Sequence, residues 1–166
     1  MGAEDDQRRV SADVRRFCPE DADAVMAIVA ESPQAANWSR KSYLDFANED
    51  GTVALVIEAG GSVSSFFFGR RVEDQAEILN LAVVTRRRRE GQGAKLLKAA
   101  LAEFRLRGAK SVYLEVRESN TGAIAFYEAH GFTITGTRKG YYHQPDEPAV
   151  TMGKKIHSFD GLEPNS

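Results

Sequence analysis

The stretch "TRRRREGQGAKLL", Thr85 to Leu97, runs four arginines into two glycines one residue apart and then into an apolar helical pattern. Three readings compete for it. A basic run can bind nucleic acid, but proteins that rely on phosphate contacts usually carry a basic excess. This chain of 166 residues has a net charge of −2, and no basic stripe or interleaved aromatics surround Arg86–Arg89. A dinucleotide fingerprint needs G-x-G-x-x-G after the first strand and an acid about 20 residues on. Glu115 lies near that distance, but Leu96 stands where the third glycine belongs, and several strand-like segments come first. The third reading is a pyrophosphate cradle. Gly91 and Gly93 lack Cβ atoms, so their N–H groups can approach a ligand closely. The helix that follows offers four unpaired N–H groups and a partial positive charge, and Arg88 and Arg89 add charged donors.

The flanking segments set the fold class. Upstream, "AEILNLAVV" (76–84) is almost continuously apolar, as in a central strand. Before it, "TVALVIEA" (52–59) and "SVSSFFFGR" (62–70) read as a hairpin turning at Gly60-Gly61. "PEDADAVMAIVAE" (19–31) predicts a helix with acids in its first turn. "SRKSYLDFANEDG" (39–51) predicts another, capped by Ser39 and stopped by Gly51. "ADVRRFC" (12–18) is a first strand. Downstream, Leu96, Leu97, Ala100, Leu101 and Phe104 share one helix face that ends at Gly108. "SVYLEV" (111–116) is a strand, and "NTGAIAFYEAHG" (120–131) is a helix with Asn120 as N-cap. "FTITGTRK" (132–139) and "AVTMGKKI" (149–156) are closing strands around an irregular "GYYHQPDEP" (140–148). Hairpins interspersed with crossover helices predict a mixed α/β sheet of about seven strands with about four helices. The domain is expected over 12–156, with loose tails at 1–11 and 157–166.

Composition narrows the class further. Hydrophobic residues at 42% and charged residues at 28% are ordinary for a globular domain. Cys18 is the one cysteine, so no intrachain disulfide forms, and its bland role is packing. No apolar run approaches a bilayer span, and the first residues lack the apolar core of a secretory leader. The chain reads as cytoplasmic, with no membrane partner. His130, His143 and His157 show no metal-ligand spacing with each other or with Cys18, so no metal is expected.

Arg88-x-x-Gly91-x-Gly93 matches the Q/R-x-x-G-x-G/A loop of the GNAT acetyltransferases. "LNLAV" (79–83), "LEVRESNTGAIAFYEAHGF" (114–132) and "RKGYYHQPDEPAVTM" (138–152) follow in family order and spacing. The chain resembles that family, and within it the ribosomal-protein-alanine N-acetyltransferase (RimI-type) branch. "ANWS" (36–39) is similar to the branch's "PWS", with Asn37 replacing proline. The resemblance implies a GNAT fold and acetyl-CoA as co-substrate. It implies that Leu81, Ala82 and Val83 bond the pantetheine and polarise the thioester. Arg88, Arg89, Glu90, Gly91, Gln92, Gly93 and Ala94 would wrap the pyrophosphate, and Asn120 would contact the pantetheine arm. Glu115 matches the general base and Tyr127 the general acid. The resemblance implies an acceptor that is a protein N-terminus, Ala-first and ribosomal. Trp38, Tyr43, Tyr141 and Tyr142, aromatics with polar tips, suit a groove for such a peptide or ordinary hairpin packing equally. One departure stands out: the family's frequent Asp-Pro before the loop is Val84-Thr85 here.

The chemistry is coherent without the family name. An α-amine has an unperturbed pKa near 7.7–8.0, so a base must take a proton from most of the molecules. Glu115 interrupts an apolar strand alternation; alone, it equally fits an ordinary charge on a strand's outer face. A tyrosine hydroxyl of pKa about 10 can protonate a thiolate, although a core tyrosine is the usual fate of Tyr127's pattern. Strand N–H groups near Leu81–Val83 can hold an oxyanion. A small amine or a lysine as acceptor, or a non-catalytic acetyl-CoA-binding module, are the alternatives.

Overall fold

A computed structural model describes residues 8–10, 13–143 and 145–156. The expected tails fall outside these residues except at 8–10, where Val10 N–H donates to Val14 O at 2.8 Å. Two compact units make up the chain: residues up to 70 with 78–100, and residues 71–77 with those from 101 onward. No helix among the described residues is long and apolar enough to cross a membrane.

The first unit holds β1 (Val14–Arg16), β2 (Thr52–Ala59), most of β3 (Ser62–Val72) and the end of β4 (Gln75–Val83), in the order β1-β2-β3-β4. β1 and β2 are antiparallel, with Val14 opposite Ile57, and β2 and β3 likewise, with Leu55 opposite Phe67. The hairpin turns at Gly60 and Gly61, both at positive φ (66° and 82°), which a two-residue loop needs to match strand twist. Phe66, Phe67 and Phe68 are all buried, so β3 is covered on both faces, which is why its sequence does not alternate.

Helices α1 (Ala22–Ala30) and α2 (Arg40–Ala47) belong to this unit. A 3-10 turn over Pro19–Asp21 takes the first residues expected for α1. Val25, Ile28 and Val29 of α1 and Tyr43 of α2 pack with Val56, Phe66, Phe68, Ala82 and Val84. Ser39 caps α2 by accepting from Ser42 N–H at 3.1 Å.

Helix α3 (Gln92–Leu106) buries Leu96, Leu97, Ala100 and Phe104 completely. Its chain reverses at Gly108, φ 91°, where the sequence puts the stop. The second unit contains β5 (Ser111–Arg117), α4 (Thr121–Ala129), β6 (Thr133–Tyr142) and β7 (Glu147–Lys155), with strand order β5-β7-β6. Both pairings are antiparallel. β6 runs further than expected, through both tyrosines. A register shift between Arg138 and Tyr142, with Gly140 at φ 67°, brings Tyr142 opposite Glu147. A β-bulge absorbs the irregularity that the glycine announces, and β7 begins at Glu147, two residues before the expected start. At the end of α4, Lys154 Nζ donates to His130 O at 2.7 Å, a cation on the negative helix end.

Arg15 and Asp21 form the most enclosed ion pair described. Both Arg15 terminal nitrogens donate to the Asp21 carboxylate at 2.8 Å, and Cys18 N–H donates to Oδ2 at 2.8 Å. Cys18 Sγ also lies 3.2 Å from that oxygen, so the thiol sits in a polar network and not simply in packing. Burial raises the Asp21 carboxyl's pKa, but the Arg15 and Cys18 bonds outweigh it and hold it below its ordinary value. A depressed carboxylate contributes stability above its unfolded pKa and loses it as pH falls through the folded one. Asp21→Ala, which leaves Arg15 paired with Glu58, should cost about 2 kcal/mol at neutral pH, shrinking as pH falls below the ordinary carboxylate range. Arg40→Ala, whose partner Asp23 is exposed, should cost little. Urea unfolding of both variants at several pH values checks this.

Candidate active site

In the first unit, the turn from β4 to α3 is built by hydrogen bonds from distant residues. Val84 N–H donates to Ser64 O at 2.7 Å. Thr85 N–H donates to Glu31 Oε1 at 2.7 Å, from the residue that ends α1. This accounts for the missing Asp-Pro: a proline at 85 has no N–H to satisfy, whereas threonine has one, and Glu31 accepts it. A 3-10 turn spans Thr85–Arg87. Arg88 is then extended, Arg89 is left-handed (φ 66°), and Gly91 is left-handed again (φ 81°). Turns of the backbone can shape amides into anion-binding concavities.

Two properties of the loop suit a phosphate ligand. The amides of Gln92, Gly93 and Ala94 precede the bond from Lys95 N–H to Gly91 O (3.1 Å) and so have no intrahelical acceptor. A Cβ built on Gly91 meets nothing within 4 Å, so the space beside it is open. Gln92 differs from expectation in one respect. Its side chain is buried and accepts from Ser64 Oγ at 2.7 Å, which leaves only its main chain for a ligand. Ser64 itself carries no signal in the sequence.

The arginines do not act as one patch. Arg87 pairs with Glu90 at 3.5 Å and lies against the β2–β3 hairpin, its Nη2 3.0 Å from where a Gly60 Cβ would stand. Arg88 Nε reaches Val83 O at 3.4 Å. Arg86, Arg88 and Arg89 are exposed. In the strand before them, Leu81 and Val83 are partly exposed and Ala82 packs into the core.

Trp38 and Tyr43 part company. Trp38 is half-buried, its ring 5.0 Å from that of Tyr43 and 5.4 Å from that of Phe46. Tyr43 is fully buried, and its hydroxyl donates to Ala36 O at 2.9 Å. Asn80 Nδ2 donates to that hydroxyl at 2.8 Å and to Ala36 O at 3.1 Å, while Asn80 Oδ1 accepts from Ala36 N–H at 3.4 Å. Burial pushes the Tyr43 hydroxyl up to about 12 against the opposing Asn80 bond, so it stays a donor. Tyr43 therefore holds the loop that carries Trp38 and presents no surface of its own. Asn80 was missed, although a polar residue inside an apolar strand is its signal.

In the second unit, Glu115 sits in mid-β5 opposite Thr151, its side chain 17% exposed. Arg138 Nε lies 3.3 Å from its Oε1, and the Arg138 guanidinium stands 5.6 Å from the Tyr141 ring centroid. A hydrogen bond with Glu115, with burial adding, raises the Tyr141 hydroxyl's pKa. Tyr142 serves a different partner: Arg117 stacks on its ring at 4.5 Å. Arg117 also bonds Glu147 (3.4 Å), Pro145 O (3.1 Å) and His143 O (3.3 Å). Glu147 accepts from Ser119 N–H at 2.5 Å, steadying the approach to α4. Asn120 caps α4 by accepting from Ala123 N–H at 3.2 Å, which leaves its amide NH2 to donate elsewhere.

Tyr127 is buried on α4, its ring 5.1 Å from Phe126 and 5.4 Å from Phe132. Burial raises its hydroxyl's pKa well above the ordinary value, so it holds its proton at neutral pH. No group of three or more potential metal ligands occurs among the described residues; His157 lies outside them.

Comparisons with known proteins point to one family. The profile of the acetyltransferase (GNAT) family matches residues 22–132. The ribosomal protein bS18-alanine N-acetyltransferase of Escherichia coli K12 is 34% identical over 132 residues, covering 77% of this chain and 87% of that protein. The crystal structure of the Escherichia coli ribosomal-protein-S18-alanine N-acetyltransferase matches with a TM-score of 0.77 at 29% identity, over 90% of this chain and 97% of that one. Ard1 from Thermoplasma volcanium matches with a TM-score of 0.79 at 34% identity, over 87% and 97%. These structures share the mixed fold of seven strands and four helices expected from the element order.

The Glu31–Thr85 bond has a checkable consequence. Val84 has φ −54° and ψ 138°, a conformation that suits a residue before proline, and position 85 opens a helical turn, where proline fits. Thr85→Pro should therefore fold normally. Glu31→Ala should cost about 1 kcal/mol in the parent and nothing in the Thr85→Pro background, as read by a thermal double-mutant cycle.

Proposed function

Because the chain belongs to the GNAT family of acetyltransferases, we propose that it moves the acetyl group of acetyl-CoA to the N-terminal amine of a protein, with an Ala-first ribosomal protein as acceptor. The observation that carries the acceptor class is the extent of similarity to an enzyme named for a ribosomal protein alanine, 34% over 87% of that enzyme.

The residues present fit acetyl-CoA. The open side of Gly91 and the unpaired amides of Gln92, Gly93 and Ala94 suit the pyrophosphate, with Arg88 and Arg89 supplying charge and Glu90 contributing main chain. Leu81, Ala82 and Val83 offer main-chain partners for the pantetheine, and the Asn120 amide adds a donor. Acetyl-CoA brings an activated thioester. The chain's task is to bring up a deprotonated amine and supply a proton to the leaving sulfur.

Glu115 is the base in this reading. The amine's lone pair forms the bond to the acetyl carbon, its proton goes to the Glu115 carboxylate directly or through a water, and the C–S bond breaks. Tyr127 gives its proton to the departing thiolate; a hydroxyl that burial keeps protonated is in the right state for that role. N–H groups of Leu81–Val83 stabilise the charge on the carbonyl oxygen. Trp38, Tyr141 and Tyr142 are the acceptor residues of this reading, and Tyr43 serves Trp38 by fixing the Ala36–Trp38 segment.

Glu115→Gln should lower kcat by about 10²–10⁴ while acetyl-CoA still binds in calorimetry; a near-parental rate across pH would remove Glu115 from the base role. Gly91→Val should abolish acetyl-CoA binding for two reasons. A β-branched residue is strained at φ 81°, and its side chain fills the open space. Unchanged affinity would remove the loop from the phosphate role. Ala-, Ser- and Met-first peptides assayed beside polyamines and lysine peptides test the acceptor class, with Ala-first peptides expected to turn over fastest.

A further inference from the structure

Two arginines stand beside candidate site residues in the second unit, and they are held very differently. Arg117 has its side chain 21% exposed and is fixed by Glu147, two carbonyl oxygens and the Tyr142 ring. Arg138 is 63% exposed; the contacts described for it are Glu115 at 3.3 Å and the Tyr141 ring at 5.6 Å. A distance of 3.3 Å is long for a charge-assisted bond, which usually closes to 2.7–2.9 Å. Arg138 also lies at the edge of the β6 register shift, where the ladder restrains the strand least. The carboxylate is thus mostly enclosed, and the cation on it is mostly in solvent and loosely fixed.

On the reading that Glu115 is the general base, we propose that Arg138 is a placeholder for the acceptor's α-ammonium. In the absence of acceptor its guanidinium occupies the Glu115 carboxylate, and the acceptor's N-terminal ammonium displaces it. The selectivity follows from charge. At neutral pH most α-amines arrive as ammonium ions, which offer Glu115 a positive charge and N–H donors in exchange for those of Arg138. Water offers no charge and exchanges poorly. The arrangement therefore restrains a wasteful reaction of the same site. In that reaction water's oxygen attacks the acetyl carbon, one water proton passes to Glu115, the C–S bond breaks, the thiolate takes up a proton, and acetate and CoA leave. Tyr141, whose ring lies 5.6 Å from the guanidinium, gives Arg138 a surface on which to rest when displaced. Arg138 is in this sense a specificity-determining residue that discriminates ammonium acceptors from water.

The test is acceptor-free release of CoA from acetyl-CoA by the purified full chain, together with steady-state kinetics on an Ala-first peptide. Arg138→Gln should raise acceptor-free hydrolysis roughly two- to fivefold, the scale of one exposed ion pair. It should lower the peptide KM, which should move more than kcat. Arg138→Lys, which keeps the charge, should restore the restraint on hydrolysis. Hydrolysis unchanged in Arg138→Gln would overturn the proposal, as would a raised peptide KM, which would make Arg138 an acceptor-binding group. Glu115→Gln in both backgrounds separates the two layers. If it leaves peptide turnover intact, the general-base reading fails. If it abolishes turnover and the Arg138→Gln hydrolysis is unchanged, the placeholder alone fails. Exposure of Arg138 favours normal folding of its variants, which a thermal melt verifies.

Discussion

The first unit depends on one constraint: the amides that open α3 have no intrahelical acceptor, yet the backbone around them is fixed. A helix start that is left unsatisfied has no internal bonds to hold its own conformation. Its geometry must come from outside, and three side-chain or strand contacts supply it. Ser64 accepts Val84 N–H with its carbonyl and donates to Gln92 with its hydroxyl, so one residue of β3 grips the loop on both sides of the arginines. Glu31 accepts Thr85 N–H. With both flanks held, the left-handed conformations at Arg89 and Gly91 are maintained by their surroundings, which such conformations require.

The second unit solves a related problem with charge. β5 carries Glu115 and Arg117 in the half-buried part of its run, where an unpaired charge is costly. Arg117 is neutralised by Glu147 and capped by carbonyl oxygens and an aromatic face, which makes it a structural fastener. Glu115 has a looser partner in Arg138, 3.3 Å away and mostly exposed. Tyr141 stands by Arg138 and Tyr142 by Arg117, their rings 5.0 Å apart at the register shift near the end of β6.

Features that need only local chemistry were readable in the sequence. Gly91 and Gly108 both take the left-handed conformation that their positions demand. Ser39 and Asn120 both cap helices, and Gly60-Gly61 makes the hairpin. The stretch of β6 through Tyr142 was not readable, because its pairing depends on a bulge and on Glu147 across the turn. Nor were the contacts Ser64–Gln92, Asn80–Ala36 and Glu31–Thr85, whose partners lie 28, 44 and 54 residues apart. Periodicity carries no information about such pairs. Tyr43 illustrates the limit: an aromatic with a polar tip suits a binding surface or a satisfied core equally, and only its 0% exposure separates the two.

The grip on Ala36 has an evolutionary side. Asn80 and Tyr43 bind its N–H and its carbonyl oxygen, atoms that every residue except proline presents in the same way. The anchor is therefore indifferent to which side chains the segment carries. Substitutions at 36 and 37 can change the chemistry this segment displays while leaving its backbone tied to β4, one residue before Leu81. A lineage could thus exchange those side chains without rebuilding the strand to which the segment is tied. The replacement of proline by Asn37 is the kind of change such an anchor tolerates.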